Sequence, residues 1–95
     1  MRMNDLYIKK YQYEKLIRVL INNYNLIQSC LTELNKCKNK LNNTLKIDDN
    51  YFNNNDLQSI INKLEDNKNI IINNILPQAR YQYNNIIYKI SMDNK

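Results

Sequence analysis

The sequence predicts an all-α fold: a long antiparallel helical hairpin of two helices, the second kinked near Pro77, that completes a four-helix bundle with a partner. Three observations carry this expectation. Glycine is absent and Pro77 is the only proline, so the special backbone conformations of tight β-hairpins and phosphate loops are poorly supplied. Apolar residues recur in alternating steps of four and three, the period that keeps one narrow stripe on a helix. The stripe stops once, in a cluster of Asp and Asn, and then resumes. A chain of 95 residues makes a single domain, here the whole span 1–95.

The first helix is expected over about 4–46. Its stripe is Met3, Leu6, Lys10, Tyr13, Ile17, Leu20, Tyr24, Ile27, Leu31, Leu34, Lys38, Leu41 and Leu45. Asn4 or Asp5 supplies a side chain able to cap the first free amides. At 1.5 Å per residue the helix would be roughly 60 Å long. The connection, about 47–55, contains Asp48, Asp49, Asn50 and Asn53 to Asn55, which are turn formers. Tyr51 and Phe52 lie within it, placed to plug the end of the helix pair.

The second helix is expected over about 56–91, with Leu57, Ile61, Leu64, Lys68, Ile71 and Ile75 as its stripe. Asn53 offers a cap, and Asp56 suits the positive end of the helix. Pro77 lacks an amide proton and crowds the preceding turn, so the helix kinks there or a short third helix starts. Ala79, Tyr83, Ile86, Ile87 and Ile90 then resume a helical face.

Folding at Asn50 sets the two arms antiparallel, because they are similar in length. The expected interface residues are Tyr13, Ile17, Leu20, Tyr24, Ile27, Leu31 and Leu34 of the first stripe with Leu57, Ile61, Leu64, Ile71, Ile75 and Tyr83 of the second. Tyr7, Tyr11 and Tyr13 would meet Tyr81, Tyr83 and Tyr88 at the open end, either as ring packing that holds that end shut or as a partner-binding patch. A lone hairpin buries one layer and leaves Leu16, Val19, Ile21, Leu26, Ile60, Ile70 and Ile72 partly wet. A helical partner, a second copy or a related hairpin, is expected to cover them.

Charge and reactive residues narrow the function classes. The net charge of +5 permits contact with an anionic surface, but it is thinly spread. Lys36, Lys38, Lys40 and Lys46 form the densest cluster, and Arg is limited to Arg2, Arg18 and Arg80. A solvated helix face explains this better than a nucleic-acid face, so nucleic acid is not the expected partner. The Asn pairs fit the codon usage of an AT-rich genome better than a functional Asn surface. With no His, catalysis would need an activated Cys, Lys or carboxylate. Neither Cys has an evident base, and Glu65 and Asp66 point in neighbouring rather than converging directions. No enzyme, catalytic residue, cofactor or metal site is therefore expected.

Cys30 and Cys37 lie seven apart, about 10 Å along one helical face, beyond the roughly 7 Å limit for a disulfide. They read as small residues flanking the stripe, with an intermolecular disulfide as the alternative. The longest apolar run, Ile70 to Ile72, is far short of the roughly 20 residues of a membrane span. No secretory leader is seen at Met1, so the expected location is cytoplasmic, with export without a cleavable signal left open.

The layout of two long antiparallel helices, a central turn and about a hundred residues resembles the small helical-hairpin proteins of type VII secretion. These are the WXG100 family and the α-helical partners of LXG toxins. Tyr51-Phe52-Asn53 stands where the Trp-x-Gly turn of that family would fall, with an aromatic but no Gly. Tyr88 is followed four residues later by Met92, the acid coming at Asp93. The resemblance implies a co-secreted partner or targeting chaperone that packs its hairpin against the helical domain of a larger LXG-type substrate. Two other readings stand beside it: a phage or mobile-element protein that inhibits a host enzyme by docking a helical face, and a weak nucleic-acid-binding regulator.

Overall fold

The computed structural model describes residues 3–44 and 54–93. They form α1 (Met3–Thr44), α2 (Asn54–Ile70), a π-helical segment π1 (Ile71–Ile75) and α3 (Leu76–Asp93). Every described residue is helical. The α2, π1 and α3 segments abut without a non-helical residue, so they make one arm, and α1 packs antiparallel along it as the other. The molecule is a rod of 72 × 15 × 15 Å. The expected turn residues 47–53, with the plug Tyr51 and Phe52, the cap Asn53 and the expected Trp-x-Gly position, lie outside the described residues, as does Leu45.

Helix-end chemistry agrees with the observed starts. Asp5 lies in the first turn of α1, and Asp56 in the first turn of α2, where a carboxylate complements the positive end of the helix. Lys68 lies in the last α-helical turn before π1, inside the continuous arm.

The expected stripe of α1 is the buried face of α1. Leu6, Leu20 and Leu31 are buried, and Met3, Lys10, Tyr13, Ile17, Tyr24, Ile27, Leu34, Lys38 and Leu41 are half-buried. Pairings down the rod fix the register. Leu6 meets Ile86 and Ile90 in one cluster, with Met3 and Tyr13 packed against it. Leu20 meets Leu76 and Ala79 in a second cluster, with Tyr13, Ile17, Ile21 and Ile71 around it. Tyr13 belongs to both and joins them. Ala79, the smallest side chain in the core, lets the arms approach where the β-branched Ile17 packs.

The register of the second arm changes at π1, and there the sequence expectation is corrected. Ile75, expected in the stripe, is 41% exposed, while Leu76 is 2% exposed. The Leu76 amide donates to the Ile71 carbonyl, a five-residue span that inserts one extra residue into the turn. The stripe therefore advances from Ile71 to Leu76 and continues as Ala79, Tyr83, Ile86 and Ile90. Ile87, expected on this face, is exposed. The physical reason is Pro77: in a regular α-helix its ring would crowd the Asn73 carbonyl, to which it has no donor to offer, and the wider turn just before it relieves that crowding. Of the two expectations at Pro77, the arm continues; Ile70 and Leu76 on either side both have ordinary α-helical dihedrals.

Candidate interaction surface

The expected interface residues are thus placed between the protein's own two arms. Leu20, Leu31 and Ile61 are buried there, and Tyr13, Ile17, Tyr24, Ile27, Leu34, Leu57, Leu64, Ile71 and Tyr83 are half-buried. Ile75 alone of this set faces outward, for the reason given above. What the molecule offers to others is decided by the two flanks of this seam.

One flank is formed by the residues that directly follow seam positions, and polar clasps close it. Tyr83 Oη donates to Glu14 Oε1 across the arms at 3.0 Å, and Lys10 Nζ lies 3.1 Å from the same oxygen. Lys68 Nζ donates to Gln28 Oε1 at 3.1 Å and pairs with Glu65 at 3.1 Å. Lys38 Nζ donates to Gln58 Oε1 across the arms. Glu14, Gln28, Gln58 and Glu65 all follow a seam residue, and each reaches back to a Lys or Tyr within the seam. Polar residues at such positions favour one register over its slipped alternatives, because slippage would strand a partly buried ammonium.

The Glu14 clasp is also the electrostatic centre of the molecule. Hydrogen bonds from Lys10 and then Tyr83 hold the Glu14 carboxyl below its ordinary range. The same carboxylate raises the Lys10 ammonium and the Tyr83 phenol above theirs. Glu14 therefore adds stability above the ordinary Glu pKa of about 4.3, and that contribution fades as pH falls through its lower folded value. Lys10 and Tyr83 add stability below about pH 10, and theirs fades as pH rises through their raised values. The expected result is a melting temperature that declines on both sides of neutrality, with the acid decline shallower in Glu14→Gln. Thermal melts across pH check it, and the effect is small because the groups are solvent-screened.

The other flank is formed by the residues that directly precede seam positions, and it is apolar over its middle. A groove there between α1 and α3, about 370 Å³ in volume, is lined by Lys9, Gln12 and Leu16 from one arm and Gln82, Asn85 and Lys89 from the other, which fixes these positions on one side of the rod. Steps of seven along α1 lead from Gln12 to Val19, Leu26 and Glu33 and from Leu16 to Asn23, Cys30 and Cys37, and the equivalent positions of the second arm include Ile60, Ile70 and Ile75. All nine are exposed, Leu26 by 67%. Of the residues expected to be wet, Leu16, Val19, Leu26, Ile60 and Ile70 belong to this flank, Ile72 is exposed on the other, and Ile21 is half-buried.

The tyrosines separate rather than gather. Tyr13 and Tyr83 are half-buried in the seam, whereas Tyr7, Tyr11, Tyr81 and Tyr88 are exposed. Tyr7 and Tyr11 share a shallow groove with Ile8 on α1, and Tyr81 lines another beside Pro77. The lysine cluster is also divided: Lys38 turns into the seam, and Lys36 pairs with Glu33 at 3.5 Å. Cys30 and Cys37 are free thiols on the exposed flank. Among the described residues no group of three or more His, Cys, Asp or Glu is placed to hold a metal ion. No described helix is long and apolar enough to cross a membrane.

Sequence reasoning missed Leu76 and the Glu14–Tyr83 clasp. Pro77 marked the first, since a proline within a continuing helix needs a local change of winding in the turn before it. The second had no local signal, because its partners are 69 residues apart. Comparison of the chain with protein-family models, with curated proteins and with solved structures gave no match.

Proposed function

We infer that this chain is a non-enzymatic helical interaction protein whose uncovered apolar flank packs against helices of another protein. In the version the layout favours, it is a partner or targeting chaperone of a larger type VII secreted, LXG-type substrate. One observation carries the reading: the hairpin is a single layer thick, polar clasps close one of its flanks, and the flank bearing Leu16, Val19, Leu26, Ile60 and Ile70 is left uncovered. Eight described hydrophobic residues are buried, a small core for a chain of this length, and a covering helical surface would bury the flank as well. Exposed aliphatic residues at helical spacing suit helix-in-groove recognition better than they suit phosphate or small-molecule binding.

Co-expression with the N-terminal helical domain of an LXG-type protein tests this. The expected result is a monodisperse complex by light scattering that Leu26→Glu disrupts without loss of hairpin helicity. Two separate species in the mixture, or a complex indifferent to Leu26→Glu, would overturn the reading.

A further inference from the structure

The groove between α1 and α3 differs in chemistry from the rest of the apolar flank. Its floor is made by the buried Leu6 and Ile86, and its rim carries Lys9 from one arm and Lys89 from the other. Among the described residues no Asp or Glu lines it. The ion pairs of the described residues use Lys10, Lys36 and Lys68, so the charges of Lys9 and Lys89 are left uncompensated there. Gln12, Gln82 and Asn85 add carboxamides that can donate hydrogen bonds between the two ammoniums. Two cations, three amides and no carboxylate make a rim complementary to an anionic group.

The surface next to the cations decides the remainder of the occupant. From Lys9 toward the middle of the rod the same flank turns aliphatic, through the exposed Leu16, Val19 and Leu26. At 1.5 Å per residue, Val19 lies about 15 Å from Lys9 along the helix and Leu26 roughly 25 Å. The other way, α1 starts at Met3 and α3 stops at Asp93, within two turns of the cations. Apolar surface therefore runs from the lysines in one direction only. A molecule with one anionic head and one long apolar tail matches that polarity, its head at the open end and its tail laid toward the middle.

Size separates this occupant from a helix. The groove holds about 370 Å³, near the lower bound of the roughly 300–1,000 Å³ usual for small-molecule clefts. A helix with its side chains is about 10–12 Å across, so it would rest on the rim and leave the floor at Leu6 and Ile86 unfilled. An acyl chain is slim enough to lie between the arms. We propose that this groove binds a free single-chain amphiphile with a carboxylate head, of the fatty-acid class, held by Lys9 and Lys89 and laid over Leu16 and Val19. The site needs no helical partner and so goes beyond the interaction reading of the flank.

Calorimetric titration of the full chain with sodium dodecanoate, kept below its micelle concentration, tests the proposal. The expected result is saturable binding of one equivalent. Replacing both groove lysines, Lys9→Ala with Lys89→Ala, is expected to weaken it about ten-fold. Lys36→Ala with Lys63→Ala removes the same charge at the far end of the rod and should leave it unchanged. Decanoate should bind about four-fold more weakly than dodecanoate, because an open groove buries only part of each methylene. Leu16→Glu is expected to weaken binding about ten-fold or more, by setting a carboxylate under the tail. All the substituted side chains are exposed, so circular dichroism should show the hairpin intact.

Heats that do not saturate, equal weakening by the two lysine pairs, or indifference to tail length would each overturn the site. Binding to phosphatidylglycerol-containing vesicles without binding to dodecanoate would also overturn it, assigning Lys9 and Lys89 to a membrane surface instead. None of these results touches the helical-partner reading, which is decided by complex formation and its response to Leu26→Glu.

Discussion

Leu31→Asp is expected to abolish the cooperative helical unfolding transition at room temperature. Leu31 is the most deeply buried side chain described, 1% exposed, in the half of α1 nearer its C-terminal end. The register that seats Gln28 beside Lys68 and Lys38 beside Gln58 brings Ile61 and Leu64 to its level. A carboxylate there would lose its water with no cation in the seam to replace it, since Lys38 and Lys68 are already bonded elsewhere. The milder Leu31→Ala still removes the packing and leaves a void, at a cost of about 2–5 kcal/mol. A domain of this size has about 5–15 kcal/mol in total. Far-UV circular dichroism during urea titration measures both. Native-like midpoints for both variants would show that the arms do not meet at Leu31.

The second large effect separates two neighbouring residues. Leu76→Ala is expected to cost about 2–5 kcal/mol, whereas Ile75→Ala should fall within about 1 kcal/mol of the native chain. A regular heptad would reverse the order, because the step of four from Ile71 lands on Ile75. The π turn moves the seam on by one residue, so Leu76 enters the cluster with Leu20 and Ala79 while Ile75 faces outward. Urea midpoints decide between the two. A larger loss at Ile75 than at Leu76 would remove the π turn from the fold. The contrast also bears on the open flank, because only the shifted register puts Ile75 there beside Ile70.

Together these expectations describe a molecule divided along its length. One flank is secured by Glu14, Gln28 and Gln58, whose bonds to Tyr83, Lys68 and Lys38 cross between the arms and hold the register. The opposite flank carries aliphatic residues at the same heptad spacing. An antiparallel pair of helices needs only one closed seam to define its alignment, and the remaining apolar surface is available for another layer. Alignment inside the hairpin and the association proposed for its open flank thus rest on different residues, which is why Leu26→Glu is expected to affect the second without the first.

The sequence by itself determined the helices, the antiparallel pairing and nearly the whole seam. The reason is that a step of three or four is a local property of a helix, and the stripe from Met3 to Leu41 follows it without a break. It also marked Leu16, Val19, Leu26, Ile60 and Ile70 as positions that a single layer cannot bury. Tertiary structure alone decided three things. It moved the seam from Ile75 to Leu76, because the arm continues along α1 through a wider turn before Pro77 that adds one residue to the repeat. It turned Lys38 and Lys68 from interruptions of the stripe into clasps, because their partners Gln58 and Gln28 come from the opposite arm, and it brought Tyr83 onto the Glu14 carboxylate that Lys10 pairs with locally. It dispersed the tyrosines, because helical rotation sends Tyr7, Tyr11, Tyr81 and Tyr88 outward, and only the arm-to-arm register shows which rings, Tyr13 and Tyr83, face inward.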